Sequence, residues 1–138
     1  MADIVETIQQ AGSFKRLIKA LEKADLVNKL KGPGPFTLLA PNDKGFDKAG
    51  EGTFELLYHH IPSLRQVLLY HVLPGVHTFE DMALSRKQLT LNGDDVVIDA
   101  NQGLRINNAK ICKGNINADN GIIHIMEDVV LSKVEAEV

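Results

Sequence analysis

The side chains best suited to metal binding or proton transfer are five histidines and one cysteine: His59, His60, His71, His77, His124 and Cys112. Imidazole is a common metal ligand and changes charge near neutral pH. His59 and His60 are adjacent, and adjacent helix positions point about 100° apart, so we do not expect them to share a metal. Cys112 lies in an apolar-alternating stretch, which we interpret as a small buried thiol rather than a nucleophile. We therefore expect no metal site and no cofactor.

The sequence also lacks the short motifs that accompany common catalytic chemistries. It has no Gly-x-Ser-x-Gly elbow, no glycine-rich phosphate loop followed by Lys-Ser or Lys-Thr, and no dinucleotide fingerprint. An active site assembled from distant residues is the alternative that sequence leaves open. We expect a protein that is not an enzyme.

Size and charge favour one globular domain over residues 1–138. The chain has 44% hydrophobic residues, and its 15 basic and 18 acidic residues form no run of like charge, so we expect no nucleic-acid partner. The longest uncharged stretch, Gln66 to Phe79, falls short of the roughly 20 apolar residues of a membrane-spanning helix. The amino terminus lacks a secretion signal, so either the protein stays in the cytoplasm or a signal was removed from a longer precursor.

The first half of the chain is predicted to be mainly helical. Asp3 and Glu6 form a capping-box pattern, and Gly12 is suited to end the helix that they begin. The remaining predictions are N-caps at Ser13, Asp25 and Ser63, a weaker helix over Thr53–His60, a buried strand over Phe36–Ala40 that ends at Pro41, and a helix end at Pro74-Gly75.

The second half has the period of strands. Asn92-Gly93 predicts a tight hairpin turn between Leu89 and Val96. Further short strands are predicted at Leu104–Asn107, Ala109–Cys112, Ile116–Ala118, Ile122–Met126 and Val129–Leu131, separated by turns at Asn101-Gln102-Gly103, Gly114 and Asn120-Gly121. Helices followed by a β meander indicate an α+β domain whose helices pack on one side or end of a mainly antiparallel sheet.

Three separated blocks resemble the fasciclin family, in the order that the family has them. They are Phe36–Phe46, with its Ala-Pro-polar-Asp pattern, Leu69–Gly75, with Tyr-His, and Asn120–Leu131. The resemblance covers nearly the whole chain. It implies a fasciclin-like fold, in which N-terminal helices pack on a wedge or sandwich of short, mainly antiparallel strands.

Three residues in these blocks are interpreted as structural. Pro41 lacks an amide and is suited to end the first strand. The Asp43 carboxylate is predicted to accept backbone amides of the turn that follows it. His124 lies in a strand predicted to be covered on both faces, so we interpret it as a hydrogen-bonded core histidine rather than a ligand.

The resemblance implies two candidate binding pairs, Tyr70-His71 and Asn115-Ile116. Helical spacing places His71 on an apolar face, so we favour a structural role, with Tyr70 as a contact if the loop at Pro74-Gly75 exposes it. Adhesive animal members carry Asp-Ile, implicated in integrin contact, where this chain has Asn115-Ile116. A neutral amide is a poorer ligand than a carboxylate for a hard cation, so integrin recognition through this strand is not expected.

The function that the resemblance implies is a non-catalytic adhesion or binding module, secreted or at the cell surface or in the periplasm. Its partner would be a cell-surface or matrix protein or glycan. The alternative is a carrier of a small apolar ligand, a lipid or pigment, held between the helices and the sheet.

Overall fold

The structure is a computed structural model that describes residues 3–49, 59–100, 104–107 and 109–129. Six helices and seven strands are described within these ranges. The helices are α1 (Ile4–Ala11), α2 (Lys15–Lys23), α3 (Val27–Leu30), α4 (Asp43–Ala49), α5 (Ile61–Leu69) and α6 (Phe79–Ala83), and the strands are β1 (Phe36–Pro41), β2 (Val72–Pro74), β3 (Lys87–Leu89), β4 (Asp95–Asp99), β5 (Arg105–Ile106), β6 (Ala109–Ala118) and β7 (Gly121–Met126).

Helix α1 begins and ends as predicted. The Asp3 carboxylate accepts a hydrogen bond from the Glu6 amide at 2.8 Å, and the Glu6 carboxylate accepts one from the Asp3 amide at 3.4 Å. Gly12 ends the helix with a φ of 80°, a left-handed conformation that costs glycine little. The helix buries Ile4, Val5 and Ile8 in the core.

The other predicted N-caps are wrong. Phe14 rather than Ser13 precedes α2, and Leu26 rather than Asp25 precedes α3, because Asp25 is in a left-handed conformation with a φ of 58°. Helix α5 begins two residues before Ser63, since Pro62 fits the first turn, where its missing amide has no intrahelical partner.

The sheet is mixed, with strand order β2-β1-β7-β6-β5-β4-β3. The hairpin at Asn92-Gly93 and the antiparallel meander from β3 to β7 are confirmed. Strand β1 pairs with β7 in parallel, which joins the two halves of the chain. The amide of Leu91, which follows β3, donates to the carbonyl of Val72 in β2 at 2.8 Å. The sheet therefore curves, and its two end strands, β2 and β3, approach each other.

Two strand predictions are corrected. Val72–Pro74 is strand β2, paired with β1, so the helix before it stops at Leu69 and not at Pro74. Strand β6 runs unbroken from Ala109 to Ala118, and Gly114 lies inside it beside an irregularity in register. A side chain at Gly114 would come within 3.0 Å of His124 and Phe79, so glycine is required there for packing.

Hydrophobic residues form two core clusters, one on each face of the central strands. Alternation along β1 sends Leu38 and Ala40 to the first cluster and Leu39 to the second. The first cluster packs helices α1 to α5 on β2, β1 and β7, and the second lies inside the curved sheet with Met82 of α6. The α+β wedge expected from the sequence is therefore confirmed.

Parts of three predictions lie outside the described residues. They are the helix over Thr53–His60 up to residue 58, the turn at 101–103 and the end of the predicted strand Val129–Leu131.

Candidate binding surface

Tyr70 is buried at the end of α5, where the sequence left its exposure open. Only 2% of its surface is exposed. Its hydroxyl donates to the Asp95 carbonyl at 2.7 Å and accepts from the Asn107 side-chain amide at 2.7 Å. Both partners lie in or beside the β4–β5 hairpin, so this side chain ties the helix end to the sheet and offers no contact surface.

His71 is buried beside it, with 1% of its surface exposed. Its Nδ1 lies 2.8 Å from the Val67 carbonyl, and because a carbonyl can only accept, Nδ1 carries the proton of a neutral ring. Burial lowers the pKa of His71 to about 4, although the Val67 carbonyl favours the charged form. The His71 carbonyl also accepts from the Leu39 amide of β1 at 2.7 Å.

His124 is fully buried in β7 and both of its ring nitrogens are hydrogen-bonded. Nε2 donates to the His77 carbonyl at 2.7 Å, and Nδ1 accepts from the Asn115 amide at 3.2 Å. Burial lowers the pKa of His124, and the His77 carbonyl opposes this shift. The neutral ring joins β7, β6 and the loop before α6.

Asn115 is exposed on β6 and its side chain holds the start of α6. Its Oδ1 accepts from the Phe79 amide at 2.8 Å, and its Nδ2 donates to both Glu80 carboxylate oxygens at 3.2 and 3.0 Å. This donation lowers the pKa of the exposed Glu80 carboxyl. Asn115 itself has a φ of 58°, a conformation that asparagine tolerates better than most residues. Ile116 is half-buried against the first core cluster.

Asp43 caps a helix, but not the one predicted from the sequence. Its Oδ1 accepts from the Arg16 amide in the first turn of α2 at 3.0 Å, while Asn42 accepts from the Gly45 amide at 3.0 Å. The carboxylate therefore caps a helix whose bonded amide lies 27 residues earlier in the chain. Pro41 is the last residue of β1 and lies opposite Met126.

The prediction of a buried thiol at Cys112 is wrong, because this residue is exposed. Its neighbour Ile111 takes the inward position on β6. The thiol donates to the Ile125 carbonyl at 3.4 Å. Partial desolvation raises the pKa of Cys112, and the negative charge of Glu127 acts in the same direction, so the thiol form is favoured over the nucleophilic thiolate.

Sequence reasoning missed the role of Asn120, interpreted there only as a turn residue. Its Nδ2 donates to the carbonyls of Leu30 and Gly32 at 2.6 and 2.7 Å, and its Oδ1 accepts from the Ile4 amide at 2.9 Å. One buried side chain thus links α1, the end of α3 and the β6–β7 turn. Nothing in the local sequence indicates such distant partners.

The part of the chain that the structure describes holds no group of three or more His, Cys, Asp or Glu side chains that could bind a metal ion. Within the same residues, no helix has the length and apolar character needed to cross a membrane.

Comparison with known proteins gives the family. A family model described as the fasciclin domain matches residues 12–132. The chain belongs to the fasciclin domain family. It is 38% identical over 131 residues to the uncharacterized protein sll1735 of Synechocystis, covering 95% of this chain and 98% of that one.

Two further similar proteins have names that refer to the cell surface or to cell adhesion. The cell surface glycolipoprotein MPB83 of Mycobacterium bovis is 31% identical over 78% of this chain and 48% of its own length. The structure of a FAS1 domain pair from the insect cell adhesion molecule Fasciclin I superposes with a TM-score of 0.81 at 15% identity, covering 97% of this chain and 52% of that one. The second match shows a shared fold.

Proposed function

We propose that residues 1–138 form one fasciclin domain that acts, without catalysis, as a binding module for a protein or glycan of the cell surface or extracellular matrix. We further propose that contact is made through Asn115 and Glu80, which we call the Asn115 surface. The observation that carries this proposal is the contrast in burial between the pair Tyr70-His71 and Asn115. Tyr70 and His71 are buried, whereas Asn115 is exposed and held in one orientation.

The relatives support a location outside the cytoplasm. One is a cell surface glycolipoprotein, and the insect protein whose domain pair shares this fold is a cell adhesion molecule. A secreted or surface-bound location is the part of the proposal that rests on these relatives.

The protonation of the buried histidines supports a non-catalytic role. General acid–base catalysis needs a group whose pKa lies near the working pH and that can reach a substrate. The pKa values of His71 and His124 are lowered by burial, and both rings are enclosed by the core. Their hydrogen bonds to backbone groups serve the fold.

The chemistry of the Asn115 surface suits a partner that donates hydrogen bonds. The lowered pKa of Glu80 favours its charged form, and the residue is exposed beside Asn115. Arginine or lysine side chains and sugar hydroxyls are donors of this kind. The Asn115 Oδ1 already accepts the Phe79 amide, which makes it a weak ligand for a divalent cation and argues against cation-dependent integrin contact.

The test is retention of intact cells and matrix from the source organism on immobilised domain. Glu80→Gln removes the charge while its side-chain oxygen can still accept from Asn115, and Asn115→Ala removes the polar group. Asn117→Ala is the matched control, because Asn117 is exposed on the same strand two residues further on. We expect the first two changes to weaken retention and the control to leave it unchanged.

Two outcomes would count against the proposal. Full retention of cells and matrix by folded Asn115→Ala and Glu80→Gln proteins would show that the contact is not made through the Asn115 surface. Failure of the unmodified domain to retain any cell or matrix component above background would remove the adhesive function itself.

A further inference from the structure

Two Asn-Gly pairs occur in the sequence, Asn92-Gly93 and Asn120-Gly121. In such a pair the backbone nitrogen of glycine can attack the carbonyl carbon of the asparagine side chain, because glycine has no Cβ to obstruct the approach. The two pairs lie in opposite environments, which makes each the control for the other.

Asn120 is protected by its contacts. Only 7% of its surface is exposed, its Nδ2 donates to two carbonyls and its Oδ1 accepts from the Ile4 amide. Gly121 begins β7 with its backbone packed against the Phe36 carbonyl. Reaction would require these three hydrogen bonds, two of them buried and one partly buried, to break and water to enter the core.

Asn92 lies at the tip of the β3–β4 hairpin and is half-exposed. Gly93 is exposed, has a φ of 98°, and has no atom within 4 Å of the position that a Cβ would take. The Gly93 amide is held by one bond to the Thr90 carbonyl at 3.1 Å, so opening the tip frees the attacking nitrogen. The tip residues lack the enclosure found around Asn120.

A neighbouring amide also favours the reaction at Asn92. The Asp94 amide donates to Asn92 Oδ1 at 2.9 Å. This oxygen gains negative charge when the side-chain carbon is attacked, and a backbone amide stabilises such a charge. The leaving nitrogen, Nδ2, is held by a surface bond to the Gln66 carbonyl at 3.2 Å.

We propose that Asn92 is a site of spontaneous deamidation and isomerisation in the folded protein. The Gly93 nitrogen, after losing its proton to solvent, forms a bond to the Asn92 side-chain carbon, and the bond from that carbon to Nδ2 breaks. The nitrogen leaves as ammonia with protons from solvent, and a cyclic succinimide remains. One water then opens the ring to aspartate or isoaspartate. The sum consumes one water and releases one ammonia without any redox step.

The modification changes the surface in three ways. It places a new carboxylate beside Asp94 and Asp95, it removes the donor that ties the hairpin to α5 through Gln66, and the isoaspartate form lengthens the backbone of the turn. Modified molecules are therefore more acidic than the original protein and separable from it by ion exchange.

The test follows deamidation at both pairs by peptide mass spectrometry while the full folded chain stands in warm, mildly alkaline buffer. We expect conversion at residue 92 to be at least about tenfold faster than at residue 120, because opening the hairpin tip takes less free energy than opening the core. In urea, where both pairs are exposed, the two rates should approach each other. The early acidic species should be absent from Asn92→Gln, whose longer side chain closes a ring far more slowly.

Equal rates at the two residues of the folded chain, or faster conversion at residue 120, would overturn the proposal. So would a folded chain in which residue 92 stays intact over a period that suffices to convert it in urea.

Discussion

Two pairs of residues implied as adhesive by family resemblance differ in burial, since Tyr70 and His71 are buried, whereas Asn115 is exposed and Ile116 is half-buried. Tyr70 and His71 lie in the core at the end of α5, bonded to Asp95, Asn107 and Val67. Asn115 lies on the surface and orients the first turn of α6. The comparison teaches that residues of a family motif can hold the fold through buried hydrogen bonds, whereas a residue of another motif can remain exposed.

The largest effect is expected from His71→Ala. The change leaves a cavity and removes the partner of a buried carbonyl, which should lower the free energy of unfolding by about 3–4 kcal/mol. Chemical denaturation with Asn117→Ala as the surface control measures this difference. An unchanged stability with lost binding would assign His71 to the contact surface instead.

A second prediction concerns pH. The folded pKa of His71, about 4, lies below its ordinary value of 6.5, so the unfolded chain takes up the proton first as the pH falls. The contribution of the neutral His71 ring to the free energy of unfolding is complete above pH 6.5, declines as the pH falls, and is lost by about pH 4. The difference between the two pKa values corresponds to about 3 kcal/mol of unfolding free energy, and the lowered pKa of His124 acts in the same direction.

The measurement is the unfolding free energy as a function of pH for the original chain and for His71→Gln, which retains a hydrogen-bond donor and does not titrate. The variant should have the flatter profile over this interval. Parallel profiles would mean that His71 is protonated as readily in the folded state as in the unfolded state.

A smaller effect is expected from Tyr70→Phe. The ring remains, but the Asp95 carbonyl loses its donor and the Asn107 amide loses its acceptor, at a cost of about 1–2 kcal/mol. Thermal unfolding measures the loss, and binding by the folded variant should equal that of the original domain. Reduced binding at full stability would contradict the assignment of Tyr70 to the core.

Asn115→Ala should affect stability less than His71→Ala does and should affect binding most. It removes the acceptor for the Phe79 amide at the start of a five-residue helix and places alanine at a φ of 58°, which together cost about 2 kcal/mol. A loss several times larger would place Asn115 with Tyr70 and His71 among residues that hold the fold.

The smallest expected effect is a change in the pKa of Glu80, which titration followed by NMR measures. Its pKa is lowered chiefly by donation from the Asn115 amide, so in Asn115→Ala it should return towards its ordinary value. Asn115→Asp should raise it further, because a second carboxylate would lie beside it. A Glu80 pKa that is indifferent to both changes would show that the two side chains are not in contact in solution.

Local signals were sufficient for much of the fold. The capping box of Asp3 and Glu6 and the hairpin at Asn92-Gly93 depend on neighbours in the chain, and both are confirmed. The parallel pairing of β1 with β7 and the bonds of Asn120 depend on residues brought together only by folding. Asp43 shows the same limit, since the residue type indicated a cap but not the distant helix that it caps.

The candidate surface was harder to predict than the fold. The alternating stretch suggested a buried Cys112, yet Ala109 and Ile111 take the inward positions of β6 and Cys112 faces outward. Similarly, no pattern in the sequence links Asn115 to Glu80, which lies 35 residues away. Side-chain exposure on an irregular strand depends on its bulges, and bulges are set by the partner strands.

The most direct test of the account compares cell and matrix binding by Tyr70→Phe and Asn115→Ala at a temperature where both are folded. We predict that Tyr70→Phe binds as the original domain does and that Asn115→Ala has lost most of its binding. Retained binding by Asn115→Ala together with loss by Tyr70→Phe would contradict the division between a motif that holds the fold and a surface that makes contact.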